Sequence, residues 1–326
     1  MYILDVLSVV SAARYTILPQ LLVQWSMRVV LPCSNILSMS IKHPIVAVTG
    51  SSGAGTTSVK AAFEQIFRRE GIAAAIIEGD CFHRYNRKQM DEVVTEAERN
   101  GKNITHFGPE GNLFDELEAV FQEYGEKGTG KRRFYIHNDE EAAEHGAAPG
   151  ELTDWEQLPD NTDILFYEGL HGGLVTDIVN VAQHVDLLIG VAPIINLEWI
   201  QKIYRDKAVR GYTSEDATNM ILSRMYDYTH YITPQFSRTD INFQRVPTVD
   251  TSNPFAATDI PNNDHSFSVI HIRNLPLIRV DFRYLLDMLH GSFMSTPDTI
   301  VVPGGKQIFA MQLIITPLIQ QLMKNR

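Results

Sequence analysis

Residues 44–80 read PIVAVTGSSGAGTTSVKAAFEQIFRREGIAAAIIEGD, and their pattern decides the fold. A short apolar run at 45–49 leads into Gly50-Ser51-Ser52-Gly53-Ala54-Gly55-Thr56-Thr57-Ser58. Apolar side chains then recur at Val59, Ala62, Phe63, Ile66 and Phe67, the spacing of one helix face. Arg68 and Arg69 fall in the last turn, and Gly71 supplies the stop. A second apolar run, 73–77, ends in Glu78-Gly79-Asp80. Strand, glycine-rich turn, helix, strand is the βαβ unit of a parallel sheet.

Working outward, the runs at 164–167 and 187–191 have the continuous apolar character of strands buried on both faces. Residues 195–209 and 215–226 read as helices, 267–272 and 299–302 as strands, and 307–322 as a closing apolar helix. The Gly-, Glu- and Lys-rich segment 125–150 reads as a long exposed excursion with a short hairpin around 133–137. There is no internal repeat and no low-complexity tract.

The chain has 326 residues, with 28 Lys+Arg against 39 Asp+Glu and a net charge of −11. That balance excludes a general binder of nucleic acid or anionic membrane, which needs a basic excess to neutralise phosphates. It does not exclude a small phosphorylated substrate, because a local arginine cluster can invert the field within one cleft. Two cysteines, Cys33 and Cys81, make neither a disulfide framework nor a cysteine zinc site. The expectation is a soluble, cytoplasmic enzyme.

Residues 1–38 stand apart. Asp5 sits where a secretory signal needs Lys or Arg, and Arg14, Pro19, Arg28 and Pro32 break every window long enough to span a bilayer. An amphipathic anchor lacks its basic face. The stretch is expected to be a non-functional extension, with Met39 as the natural start and residues 39–326 as the working domain.

The phosphate-loop pattern is Gly, four residues, Gly, Lys, then Ser or Thr. Gly50 and Gly55 hold the glycine positions and Thr57 the hydroxyl, but Thr56 stands where the lysine belongs. The rest of the physics holds: amides of residues 50–58 converge on phosphate oxygens, the helix adds its positive end, and Thr57 is placed to ligate Mg²⁺. Another residue must supply the missing cation. A tight strand–helix turn that binds nothing is the plainer alternative.

In open α/β sheets ligands bind beyond the carboxyl ends of strands. Two such ends carry Glu78-Gly79-Asp80 and Glu168-Gly169-Leu170-His171. Each could be turn chemistry alone; together with a phosphate loop on the same edge they suit Mg²⁺ binding and activation of a hydroxyl nucleophile. His83-Arg84-Tyr85-Asn86-Arg87 follows at once, and such a group suits a second, separately phosphorylated substrate. The densest constellation is NLEWIQKIYRDKAVRGY at 196–212. Lys202, Arg205 and Asp206 share one helix face, Arg210 closes the last turn, and Trp199, Ile200 and Ile203 bury the other face. A run of this kind is often only a wet helix face. Here Lys202 is the natural substitute for the absent loop lysine.

These residues resemble the phosphoribulokinase family in its bacterial form. The resemblance is carried by 48–60 with its lysine-free loop, 78–87, 166–172, 196–212 and PQFSRTDINFQRVPTVDTSNP at 234–254, and runs from about residue 42 to the C-terminus. It implies a three-layer α/β/α fold of the P-loop, nucleoside-kinase-like type with a mixed central sheet. It implies ATP-dependent phosphorylation of D-ribulose 5-phosphate at O1, giving ribulose 1,5-bisphosphate for the Calvin–Benson cycle. Carried over residue by residue, Asp80 is the base for the O1 proton, Lys202 the cation on ATP, Glu168 the Walker-B-like acid, and Asp206 a magnesium or second catalytic carboxylate. His83, Arg87, Arg205 and Arg210 take the sugar phosphate. Bacterial members are typically homo-oligomers activated by NADH through arginines, and Arg69 and Arg224 fit that role, although His271 stands where the first arginine of an Arg-x-Arg pair is expected. Plant-type relatives switch through a loop cysteine; this loop has none, so that regulation is not expected. The nearest rival is another kinase of this group, such as a uridine or pantothenate kinase, which needs no cationic pocket for a phosphorylated acceptor. A non-catalytic nucleotide-binding regulator is the rival of another class and needs no base at Asp80.

Overall fold

The computed structural model describes residues 42–50, 56–210, 213–257, 259–273, 275 and 278–326, with 56–58, 193, 206 and 208–210 described by backbone alone. The expected N-terminal extension and Ser51, Ser52, Gly53, Ala54 and Gly55 of the loop lie outside the described residues.

All six residues of strand β1 (Ile45–Gly50) are buried, which a strand achieves only with cover on both faces. Helix α1 (Thr56–Glu70) follows and stops as its sequence requires: Gly71 takes φ +68°, and the Ile72 amide donates to the Phe67 carbonyl at 2.9 Å. Then come β2 (Ala74–Glu78), α2 (Arg87–Arg99), α3 (Phe114–Lys127), β3 (Lys131–Arg132), α4 (Asp139–His145), β4 (Glu156–Gln157), β5 (Ile164–Gly169) and β6 (Leu187–Pro193). Helices α5 (Ile195–Arg210) and α6 (Ser214–Ser223) precede β7 (Ile241–Pro247), β8 (Ser266–Ile272), α7 (Phe282–Met288), β9 (Phe293–Thr296), β10 (Thr299–Pro303) and α8 (Gln307–Lys324).

Eight strands form one sheet in the order β2-β5-β1-β6-β7-β8-β10-β9. The first five run parallel, and β8, β10 and β9 continue antiparallel. The alternation along each strand decides which layer it meets. Val46, Val48, Ile164 and Phe166 pack with Phe63 and Ile66 of α1 and Ile314 and Ile315 of α8. Their neighbours Ile45, Ala47, Leu165 and Tyr167 pack with Leu117, Phe121 and Tyr124 of α3. This is the three-layer α/β/α arrangement with a mixed sheet. Among the described residues no helix is long and apolar enough to cross a membrane.

Two readings need correction. Segment 125–150 is not one exposed excursion. Its first residues complete α3, and Lys131–Arg132 pairs with Glu156–Gln157, not within 133–137. Ile136 is fully buried, and the tip is helix α4, started by the Asn138 side chain accepting from the Glu141 amide. Residues 215–226 do not form one helix either. The chain breaks at Arg224, resumes as one turn at Met225–Asp227, widens into a π turn at Tyr228–Ile232 and closes as a 3-10 turn at Thr233–Ser237. Pro234, lacking an amide hydrogen, fits only the opening of that last turn.

The last turn delivers Gln235 into the interior. Its Oε1 accepts from the Thr49 hydroxyl at 3.0 Å and the Gly173 amide at 2.8 Å, and its Nε2 donates to the carbonyls of Leu170 and Tyr231. One buried amide thus joins the exits of β1 and β5 to the turn before β7. Gln235→Leu leaves several of these buried groups unpaired at about 1–3 kcal/mol each. Urea unfolding of this variant should show a loss of about 3 kcal/mol or more, while a loss below about 0.5 kcal/mol would show that water replaces the clamp.

Candidate active site

The pairing register sets Glu78 opposite Glu168 and Glu168 opposite Val48, so the carboxyl ends of β2, β5 and β1 lie side by side. Gly50 ends β1, and the backbone of Thr56, Thr57 and Ser58 opens α1; the side chains of these three lie outside the described residues. The two Glu-Gly pairs do more than turn the chain. A Cβ on Gly79 would sit 2.9 Å from Cα of Gly169, and one on Gly169 would sit 2.7 Å from Cα of Gly79. Only glycine at both positions lets the strand exits close up. Lys60, on α1, pairs with Glu78. Burial works against its ammonium, but Glu78, backed by Glu64 and Glu168, raises its pKa overall.

Asp80 occupies the 3-10 turn Gly79–Phe82 directly beyond β2. His83 Nε2 lies 3.3 Å from its Oδ1, and His137 Nε2 lies 3.5 Å from its Oδ2. Burial pushes the Asp80 carboxyl up, but His83 first, then His137 and His106, hold it well below the usual carboxylate range. His83 is buried, which opposes its charge, yet Asp80 and Asn112 raise its pKa. The His106 ring sits 5.0 Å from that of His83 and is depressed to about 3 by burial, His83, Arg224 and Lys202. His171, also buried, falls to about 4 and donates from Nε2 to the Phe107 carbonyl at 3.0 Å. Asp80 and Asn112 thus favour the charged form of His83 beside the carboxylate, while His106 and His171 are pushed toward the neutral form.

The turn that carries Asp80 is held from the 131–157 segment. Arg133 donates from Nε to the Cys81 carbonyl at 2.8 Å and from Nη2 to the His83 carbonyl at 2.6 Å, with its guanidinium 4.7 Å from the Trp155 ring. Nothing in the spacing of Arg133, His137, His106 or Asn112 announced these contacts. The readable signal was only that Arg and His recur in a segment otherwise rich in Gly, Glu and Lys.

Of the residues expected in the site, Asp80 and His83 touch, and Lys202 lies close enough to His106 to act on its charge. Lys202 and Arg205 are half-buried on α5, while Ile203 packs with Ala217, Ile221 and Trp199. The apolar side of α5 is thus buried as expected. Arg87 opens α2 after an Asn86 capping box, and its guanidinium lies over Gly150 at the base of the 131–157 segment. Glu168 is half-buried at the end of β5. Asp206 and Arg210 belong to α5 by backbone, and their side chains lie outside the described residues. Arg69 and Arg224 separate: Arg69 donates to Thr316 near the far end of α1, whereas Arg224 lies 5.8 Å from the Phe107 ring and acts on His106.

Chemically the arrangement is a carboxylate held ionised, with the buried His83 ring against it, on the same sheet edge as the exit of β1. It can orient a hydroxyl and accept its proton. Among the described residues no group of three or more His, Cys, Asp or Glu side chains is arranged to hold a metal. Magnesium carried with a nucleotide takes most of its oxygens from phosphate and water, so one carboxylate such as Glu168 suits it.

Cys81, next to Asp80, is buried, and burial pushes its thiol up to about 12. At pH 8 the native thiolate is then scarce. Iodoacetamide should label the Cys81 peptide at least about a hundredfold more slowly in the folded protein than in urea. Equal rates, read by mass spectrometry, would show that this turn opens freely.

Comparison with known proteins bears on the same segments. The family model described as Phosphoribulokinase / Uridine kinase family matches residues 45–252. A chromosomal phosphoribulokinase of Cupriavidus necator is 60% identical over 289 residues, covering 88% of this chain and 98% of that protein. A phosphoribulokinase of Nitrobacter vulgaris is 60% identical over 286 residues, covering 87% and 98%. Among solved structures, phosphoribulokinase from Rhodobacter spheroides superposes with a TM-score of 0.81 at 54% identity, covering 87% of this chain and 99% of that one.

Proposed function

Because the chain belongs to the phosphoribulokinase / uridine kinase family, we propose that it transfers the γ-phosphoryl group of ATP to O1 of D-ribulose 5-phosphate. The product, ribulose 1,5-bisphosphate, feeds the Calvin–Benson cycle. The observation that carries this reading is the 60% identity to phosphoribulokinases across 98% of their length. Uridine phosphorylation is not favoured, since an unphosphorylated acceptor gives no reason for cations on both the Asp80 turn and α5.

Asp80 is the group that takes the O1 proton. Phosphoryl transfer demands little covalent chemistry of the protein beyond positioning and neutralising charge. The glycine-rich loop Gly50, Ser51, Ser52, Gly53, Ala54, Gly55, Thr56, Thr57 and Ser58, with Lys202, holds the ATP phosphates. His83, Arg87, Arg205 and Arg210 hold the acceptor's phosphate from the other side. Glu168, Thr57 and Asp206 would hold Mg²⁺; when bound, the ion neutralises charge on the transferring phosphate.

The same reading extends further, on residue type and family habit: a homo-oligomer in the cytoplasm, NADH as effector through Arg69 and Arg224, and a kinase domain of residues 39–326 that works without Met1–Ser38. Arg69 supports this with its exposed guanidinium at the α1–α8 seam.

Asp80→Asn should lower kcat by about a thousandfold or more with ATP affinity nearly unchanged, because only the proton acceptor is lost. A variant retaining a tenth of wild-type turnover in a coupled ADP-release assay would remove Asp80 from the chemistry. The two cation sets should also separate kinetically. Arg87→Ala should raise KM for ribulose 5-phosphate by roughly ten- to a hundredfold and leave KM for ATP almost unmoved. Lys202→Met should impair ATP kinetics and kcat together. Equal losses for both substrates in Arg87→Ala would mean that this arginine supports the fold instead.

A further inference from the structure

Asn112 donates its two amide hydrogens to the carbonyls of His106 and Gly108, at 2.9 and 2.8 Å. The reverse amide orientation would set its oxygen against both carbonyls, so Oδ1 is fixed as the atom facing His83. Oδ1 only accepts; Nδ1 of His83, 3.0 Å away, therefore carries a proton. The other ring nitrogen, Nε2, lies 3.3 Å from Asp80 Oδ1. A neutral ring protonated on Nδ1 would turn a lone pair toward that carboxylate, whereas the doubly protonated ring turns an N–H toward it.

We propose that Asn112 is a positioning residue that claims Nδ1 of His83 and so commits His83 to the imidazolium form, fixing it as the cationic partner of Asp80. The link from there to turnover rests on Asp80 serving as the base. The groups around His83 sort by element. Asp80, on the same turn, favours the charge, as does Asn112 from the 103–113 loop. Arg133, from the 131–157 segment, opposes it, His137 of the same segment faces Asp80 instead, and the Tyr135 ring packs edge-on at 5.7 Å. His106 and His171 are neutral through burial and add little. Among the described residues Asp80 and Asn112 are the side chains that favour the charge, and removing Asn112 takes away one of them. Asn112 itself is buried and occurs in none of the segments singled out in the sequence, so its part in the site comes from the fold alone.

The sign follows from the direction of the shift. His83 is raised above its ordinary value, so its charge is present below the folded pKa and lost as pH rises through it. The test uses the full-length protein with ¹⁵N-labelled histidine and a long-range ¹H–¹⁵N correlation spectrum, His83 being assigned by loss of its signal in His83→Gln. In the wild type both ring nitrogens should read as protonated at pH 7. Asn112→Leu should lower the His83 pKa by about one pH unit or more, a tenfold change in the protonation equilibrium. Asn112→Asp keeps the acceptor and adds negative charge, so it should raise that pKa. The alkaline limb of kcat/KM should move in the same two directions. Opposed shifts are the signature, because damage to the loop alone would move both variants the same way. Absent shifts, or shifts of one sign, would overturn the proposal. Opposed ring shifts with an unmoved kcat/KM profile would uphold Asn112 and remove Asp80 as the base.

Discussion

Strands β1 and β5 are covered on both faces, and that constraint governs where chemistry can sit. Ile45 through Val48 and Ile164 through Tyr167 leave no surface along their length for a polar group. Functional side chains are pushed to the carboxyl ends, where the last buried hydroxyl, Thr49, is already spoken for by Gln235 and Leu170. The exits of β2 and β5 then close to backbone contact at Gly79 and Gly169, which brings Glu78, Asp80 and Glu168 onto one edge. Three carboxylates gathered this closely repel one another unless cations come with them.

The groups that offset them arrive from different parts of the chain. Lys60 from α1 meets Glu78, leaving that residue neutralised in place. His83 and His137 meet Asp80 from two sides. Lys202 and Arg224 come from beyond β6 and act on His106, which burial first, and then His83 and these two cations, hold down to about 3. In a chain with a net charge of −11, basic side chains from several elements are thus brought to this carboxylate-bearing edge. Arg133 does its work without facing the acceptor at all: its donors go to the backbone carbonyls on either side of Phe82, so the turn bearing Asp80 holds its shape against the repulsion around it.

How much of this could be read beforehand follows from the range of the forces involved. The βαβ unit was legible because its period, its glycine turn and its Gly71 stop are all local. Asp80, His83 and the α5 cations were legible as residue types at strand and helix ends. Strand β7 was missed because INFQRVP alternates apolar with polar side chains and looks like a surface strand. Asn242 and Gln244 indeed line an open hollow on the face of the sheet away from α1 and α8. Asn112, Arg133 and His137 were missed for another reason: their partners lie between 29 and 57 positions away, and only the packing of the 131–157 segment over the Asp80 turn brings them in. Segment 125–150 looked like a solvated loop because its composition is polar, yet Ile136 anchors it.

A carboxylate held well below its ordinary range is a weak base, which at first sight suits Asp80 poorly. Phosphoryl transfer resolves the difficulty in two ways. The acceptor hydroxyl becomes acidic only as its bond to phosphorus forms, so the base needs to be ionised and in place more than it needs to be strong. The second way lies in the partner of Asp80. His83 is the charge that most strongly depresses that carboxyl. On the proposed assignment of His83 to the acceptor's phosphate, a sugar-phosphate dianion would share that ring and add negative charge nearby, and both effects would raise the proton affinity of Asp80. On that assignment the carboxylate would be a stronger base with the acceptor bound than without it. On that assignment, coupling through one histidine would favour transfer to the sugar over abstraction of a proton from water, through the 3.3 Å contact between Asp80 and His83. An unphosphorylated acceptor would leave the Asp80–His83 contact unchanged, so on the proposed assignment the contact that orders the turn would also bias the site toward phosphorylated acceptors.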